Sequence, residues 1–203
     1  MTRIAQSVAA IPPSGIRKFF DLAATMDGVI SLGVGEPDFV TPWHVREAGI
    51  AALEQGYTSY TSNSGLLELR KEISRYLLER FAVEANPESE VLITVGASEG
   101  IDLAIRAITN PGDEILVVEP CFVAYEPIIR MSGGIPVKIH TTRETDFTLT
   151  PQHIREKATA KTKAIIFSFP NNPTGAIMSR KQFNEIAKVV RELDLLVISD
   201  EIY

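Results

Sequence analysis

Residues 164–203 read AIIFSFPNNPTGAIMSRKQFNEIAKVVRELDLLVISDEIY. Ala164 to Phe169 is apolar without polar alternation, the pattern of a strand covered on both faces. Pro170 to Gly175 is a turn, because Asn-Pro and Thr-Gly are turn formers. Ser179 caps a helix that carries Phe183, Ile186, Ala187 and Val190 on one side. Leu195 to Ile198 is a second buried strand, and it runs into Ser199-Asp200-Glu201-Ile202-Tyr203. Strand, helix and strand in this order make a parallel unit, which needs helices on both faces of its sheet.

The same alternation extends backwards. Val91 to Val95 reads as a short strand, followed by a turn at Gly96 to Gly100 and a helix bearing Ile101, Ala104, Ile105 and Ile108. Ile115 to Val118 is a strand ending at Glu119-Pro120. Phe122 to Met131 reads as a helix that Pro127 kinks or splits. Ile135 to His140 alternates as a strand, and Thr150-Pro151 opens another helix. The expected fold is α/β, a three-layer, mostly parallel sheet with helices on both faces. Further towards the N-terminus, Thr41-Pro42 reads as N-cap and first residue of a helix that Gly56 stops. Leu66, Leu69, Ile73, Tyr76, Leu77 and Phe81 mark the buried stripe of a long amphipathic helix. Ser14 to Ala24 holds a short helix, and Leu32 to Phe39 is a Gly- and Pro-rich loop.

The composition excludes several classes of function. The chain has 203 residues, 45% hydrophobic and 23% charged, with a formal net charge of -6. An acidic balance argues against nucleic acid or an anionic membrane as the main partner. A single cysteine, Cys121, cannot form an internal disulfide, and with three scattered histidines it makes no zinc site. No apolar run approaches the ~20 residues that span a bilayer, and from residues 1–13 no secretory signal is expected.

Three segments carry chemistry. Gly96-Ala97-Ser98-Glu99-Gly100 lies between a strand and a helix, where free N–H groups and the helix dipole make a phosphate seat; it also fits a plain tight turn. Asp200 ends an apolar strand, the edge at which α/β sheets bind ligands, and Tyr203 follows three residues on. Asn171 and Asn172 offer amides to a polar ligand, although the turn alone accounts for that sequence. A phosphorylated, cationic heteroaromatic cofactor would use all three segments.

These residues resemble the fold-type I pyridoxal-phosphate (PLP) enzymes, and within them the class I/II aminotransferases. The resemblance rests on Ser31 to Phe39, Tyr60 to Arg70, Thr94 to Gly100, Phe169 to Gly175 and Ser199 to Tyr203, in the family's order and over nearly the whole chain. Ser14 to Ala23 is similar to the start of the aspartate- and aromatic-type branch. The resemblance implies a role for each residue. The amides of Ala97 and Ser98, with the Ser98 hydroxyl, hold the cofactor phosphate. Phe122 stacks on the pyridine ring. Asn172 and Tyr203 bond the phenolic oxygen, and Asn172 also helps hold the substrate carboxylate. Asp200 pairs with the ring nitrogen. Gly35 brings backbone to the substrate. Tyr60 reaches the phosphate in a neighbouring subunit, which implies a homodimer with shared active sites.

The family also needs a lysine that forms the Schiff base with PLP. None of the eight lysines lies in the expected context, and two arginines expected later are absent. The sequence is therefore expected to be the N-terminal half of the enzyme, with no catalytic residue of its own and inactive alone. Residues 1–40 are expected to form an arm and part of a small domain, and residues 41–203 the first part of the large PLP-binding domain, incomplete at its C-terminus. The complete protein is expected to be cytoplasmic and to move an amino group from an amino acid to a 2-oxo acid in amino-acid biosynthesis. Other fold-type I reactions (C–S lysis, decarboxylation, cyclopropane formation) share the scaffold, as does a non-catalytic ligand-sensing domain. A lysine downstream separates the enzymes from the sensor.

Overall fold

The computed structural model describes residues 3–13, 15, 19, 22, 25–30, 37 and 39–203. The expected helix at Ser14 to Ala24 and the loop at Leu32 to Phe39, Gly35 included, lie largely outside them. In chain order the elements are α1 (Gln6–Ala9), α2 (Trp43–Glu54), α3 (Leu67–Phe81), α4 (Ala97–Ile108), β1 (Glu114–Glu119), α5 (Tyr125–Met131), β2 (Ile135–His140), a 3-10 turn (Arg143–Thr145), α6 (Pro151–Lys157), β3 (Thr162–Ser168), α7 (Arg180–Glu192) and β4 (Leu196–Asp200). They form two compact units, one of Ser14–Thr94 and one of Met1–Pro13 with Val95–Tyr203.

In the first unit, α2 starts one residue later than expected, with Pro42 as N-cap. It ends as expected at Gly56, whose φ of 79° is left-handed. The Gly56 N–H donates to Leu53 O and the Tyr57 N–H to Ala52 O, each at 3.0 Å, which closes a Schellman motif. Two expectations fail here. The stripe on α3 is not buried: Leu66, Leu69, Tyr76 and Phe81 are exposed, and Arg70 is the helix's one buried residue among those described. The run 91–95 forms no strand. A strand requires a ladder partner; here the Ile93 N–H donates to Ser64 O at 3.1 Å and the Val95 N–H to the Glu99 carboxylate, which is no ladder. Gly65 permits that approach; a Cβ there would sit 2.5 Å from Ile93 Cβ.

The second unit contains the sheet. Its strand order is β2-β1-β3-β4, and every pairing is parallel. Side chains alternate across it. Leu116, Val118, Ile165 and Phe167 face α6 and α7, meeting Ile154, Ile186, Val189 and Val190. Ile115, Val117, Ala164 and Ile166 face α4 and α5, meeting Ile101, Ile105, Tyr125, Ile128 and Ile129. This is the three-layer arrangement that the apolar strands require. At the edge, β4 leaves Leu196 and Val197 about half exposed.

Local signals set the helix ends. Thr150 and Ser179 both complete capping boxes, with His153 and Gln182, and Pro151 follows Thr150 as the first helical residue. Pro127 does not kink α5. The helix begins at Tyr125 rather than Phe122, so Pro127 falls in its first turn, where a missing N–H costs nothing.

Ile165 is fully buried in the central strand pair. Ile165→Ala in the full-length protein is expected to lose about 2–5 kcal/mol. Urea denaturation followed by far-UV circular dichroism measures it, and an unchanged midpoint would contradict this account of the core.

Candidate active site

The topology reverses direction between β1 and β3. From β1 the chain passes through α5 to β2 on one side; from β3 it passes through α7 to β4 on the other. Such a switch point opens a crevice at the carboxyl ends of the strands. A cavity of about 260 Å³ lies there, near the lower end of ligand-pocket sizes (~300 Å³ upward). Ala97, Ser98, Phe122, Asn172, Asp200 and Tyr203 all line it, with Ile101, Tyr125, Ser168 and Ile202.

Ala97 and Ser98 are the first two residues of α4, and Gly96 is its N-cap with φ 81° and ψ 166°. The helix thus begins inside the stretch read as a turn. First-turn N–H groups have no intrahelical acceptor and carry the positive end of the dipole. The Glu99 carboxylate is turned back to accept from the Val95 N–H.

Asp200 is the last residue of β4. Its Oδ2 accepts from the Tyr125 hydroxyl at 2.6 Å, and its Oδ1 from the Ile202 N–H at 3.3 Å. Tyr125 is completely buried. Burial first, and then the hydrogen bond to Asp200, push its phenol pKa far up, so it is a neutral donor. The Phe122 ring meets the Tyr125 ring edge-on, with centroids 5.8 Å apart.

The two asparagines divide their work. Asn171 is buried. Its Nδ2 donates to Pro120 O at 3.0 Å, and its Oδ1 accepts from the Thr174 hydroxyl at 2.8 Å and the Thr174 N–H at 3.2 Å. It ties the loop after β3 to the loop after β1. Asn172, next in sequence, lines the cavity. Ser168 is held inward, its hydroxyl donating to Pro170 O at 2.8 Å.

No lysine lines the cavity among the described residues. Lys138 is committed elsewhere, to Glu126 at 2.8 Å and Glu119 at 3.0 Å, and these carboxylates raise its pKa. Among the described residues no cluster of His, Cys, Asp and Glu could hold a metal, and no helix is long and apolar enough to cross a membrane.

The family of class I and II aminotransferases matches residues 27–203. The chain belongs to it. YugH of Bacillus subtilis (strain 168) is 58% identical over 196 residues, covering 97% of this chain and 51% of that protein. Aromatic-amino-acid aminotransferase 2 of Thermococcus litoralis is 41% identical, over 95% of this chain and 50% of its own length. A solved structure of the aspartate aminotransferase of Thermus thermophilus superposes with a TM-score of 0.94 at 36% identity, over all of this chain and 54% of that one. The chain thus spans about half the length of the aminotransferases it matches, and its sheet has their fold.

Against this aminotransferase fold, the structure brings together Ala97, Ser98, Phe122, Asn172, Asp200 and Tyr203 of the residues singled out from sequence. Tyr60 is fully exposed and belongs to the other unit. Gly35 lies outside the described residues. Sequence reasoning missed Tyr125, Ser168, Ile101 and Ile202. For Tyr125 one signal existed: a tyrosine on the buried face of a helix must find a partner for its hydroxyl.

Cys121 sits beside Phe122 and is partly buried. Burial, with the Glu119 carboxylate behind it, pushes its thiol up to about 12. A thiol is nucleophilic only as thiolate, so Cys121 is expected to resist iodoacetamide at pH 8 in the folded protein and to react at once after unfolding. Mass spectrometry of the modified peptide reads this, and equal labelling in both states would contradict it.

Proposed function

We propose that the complete protein is a PLP-dependent aminotransferase that moves an amino group from an amino acid to a 2-oxo acid. One observation carries the reading. A helix N-terminus, an aromatic ring, an amide, a phenol and a carboxylate from distant parts of the chain line a single cavity at the sheet's switch point. That set fits PLP chemically. The first-turn amides of α4 suit a phosphate, the Phe122 face suits a pyridine ring, and Asp200 suits a protonated ring nitrogen.

In this reading the cofactor, when bound, supplies the electron sink that lets the Cα–H bond of an amino acid break. The amides of Ala97 and Ser98, with the Ser98 hydroxyl, hold the phosphate and fix the depth of binding. Phe122 excludes water from one face of the ring. Asp200 holds a proton on the ring nitrogen by Coulomb attraction in a partly desolvated site. Asn172 and Tyr203 donate to the phenolic oxygen. Asn172 and the backbone at Gly35 receive the substrate carboxylate. Tyr60 reaches the phosphate of a second subunit, so the protein works as a homodimer. Residues 41–203 contribute the first part of the cofactor domain, and residues 1–40 an arm and part of the small domain. This chemistry would also need a lysine to hold the cofactor and move the proton; no lysine lines the cavity among the described residues, and we assign that role to the part of the protein these 203 residues do not cover. The relatives' coverage of about one half supports that assignment. Amino-acid biosynthesis in the cytoplasm is the setting that this chemistry suits.

The full-length protein, loaded with PLP and screened with amino donors against 2-oxoglutarate, is expected to form the corresponding new amino acid. In single-turnover measurements Asp200→Ala is expected to lose about a hundredfold or more in the rate of Cα–H cleavage, while Asp200→Glu loses less. Equal rates for the wild type and Asp200→Ala would refute the role of Asp200, and absence of transfer with every donor would refute the function.

A further inference from the structure

We propose that Tyr125 is a positioning residue that acts through Asp200, keeping the proton on the ring nitrogen of the bound cofactor rather than on the carboxylate. The inference rests on the aminotransferase reading of the cavity, and it concerns a residue to which that reading gives no task.

The argument starts from the hydrogen bond. Tyr125 donates to Asp200 Oδ2 at 2.6 Å across 75 residues of sequence. A bond of that length to an ionised acceptor is charge-assisted and about twice as strong as a neutral one. It stabilises the carboxylate more than the carboxylic acid, because a protonated Asp200 is a poorer acceptor. The remaining oxygen is also supplied, by the Ile202 N–H. A carboxylate loaded with donors is a weaker base. When it faces a protonated ring nitrogen, the proton therefore stays on nitrogen. With the phenol removed, Asp200 competes better for that proton. The proton moves to a carboxylate oxygen, the nitrogen regains its lone pair, and the pair becomes neutral.

The surroundings suit this task. Tyr125 is completely buried at the start of α5, so water cannot replace the lost donor cheaply. The titratable groups that act on its hydroxyl are Asp200, Cys121 and Tyr203. Of these, Asp200 alone is a carboxyl group, and burial keeps the Cys121 thiol protonated. The same ring also touches Phe122 edge-on. One buried side chain thus steadies two groups that meet the cofactor, the stacking ring and the counter-ion.

The test uses the full-length protein reconstituted with PLP labelled with ¹⁵N in the ring. The ¹⁵N chemical shift at fixed pH reports which atom holds the proton. Tyr125→Phe keeps the ring contact with Phe122 and removes only the hydroxyl. It is expected to move the proton partition towards Asp200 by about tenfold, the shift of one pK unit, and to lower kcat more than it raises KM. Incorporation of 3-fluorotyrosine at position 125, a stronger donor in a nearly unchanged shape, is expected to move the ¹⁵N shift the opposite way. Opposite directions for the two replacements are an outcome that loss of packing cannot produce. If Tyr125→Phe fails to fold, the fluorotyrosine protein carries the test alone. An unchanged ¹⁵N shift in the replaced proteins, whatever the turnover does, overturns this inference and leaves the aminotransferase reading intact. Failure of the wild-type protein to retain labelled PLP through gel filtration overturns both.

Discussion

The pairing of β1 with β3 is the constraint on which the rest of the structure depends. The two strands are parallel, apolar on both faces and covered by two separate clusters of side chains. Each must be followed by a helix before the chain can return, and the two returns go to opposite sides. Two loops therefore diverge at the same end of the sheet and leave a space between them. Residues from separate parts of this unit line that space. Phe122 comes from the first loop, Ser168 from the end of β3, Asn172 from the loop after it, Asp200 from the next strand, and the amino end of α4 adds Ala97 and Ser98.

Charge within that space is arranged by burial as much as by residue type. Asp200 is an acid held between a neutral phenol and a backbone amide. Lys138, on the neighbouring strand, is neutralised by Glu119 and Glu126. The crevice is lined by one carboxyl group, held by two donors, and by the amino end of a helix, which suit ligand groups of opposite charge. A ligand with a phosphate at one end and a protonated nitrogen at the other matches this polarity.

Much of this was legible in the sequence where the determinants are local. The capping boxes at Thr150 and Ser179 lie within four residues of their partners, and the apolar runs of β1 and β3 declare their own burial. The readings that failed depend on what lies opposite. Residues 91–95 have strand composition, but strand is a property of a pair, and no described segment is hydrogen-bonded along them. The stripe on α3 has the right period, yet burial needs a covering surface. The site followed the same division. Asp200 and the amino end of α4 could be found because strand ends and helix starts have recognisable sequences. Tyr125 could not be joined to Asp200, because nothing in either segment names the other. Residue chemistry alone left the pair Asn171-Asn172 open, while the family resemblance singled out Asn172, and that is the amide lining the cavity.

That last pair bears on how variant scans of this protein would be interpreted. Asn171 latches the two diverging loops through Pro120 O and Thr174, and so sets the width of the gap between Phe122 and Asn172. A library scored only by ligand retention would rank Asn171 beside its neighbour and count both as contacts. One of them is a hinge pin whose failure lets the jaws drift, and the other is a jaw. Sorting them requires a readout of shape, because affinity merges the two.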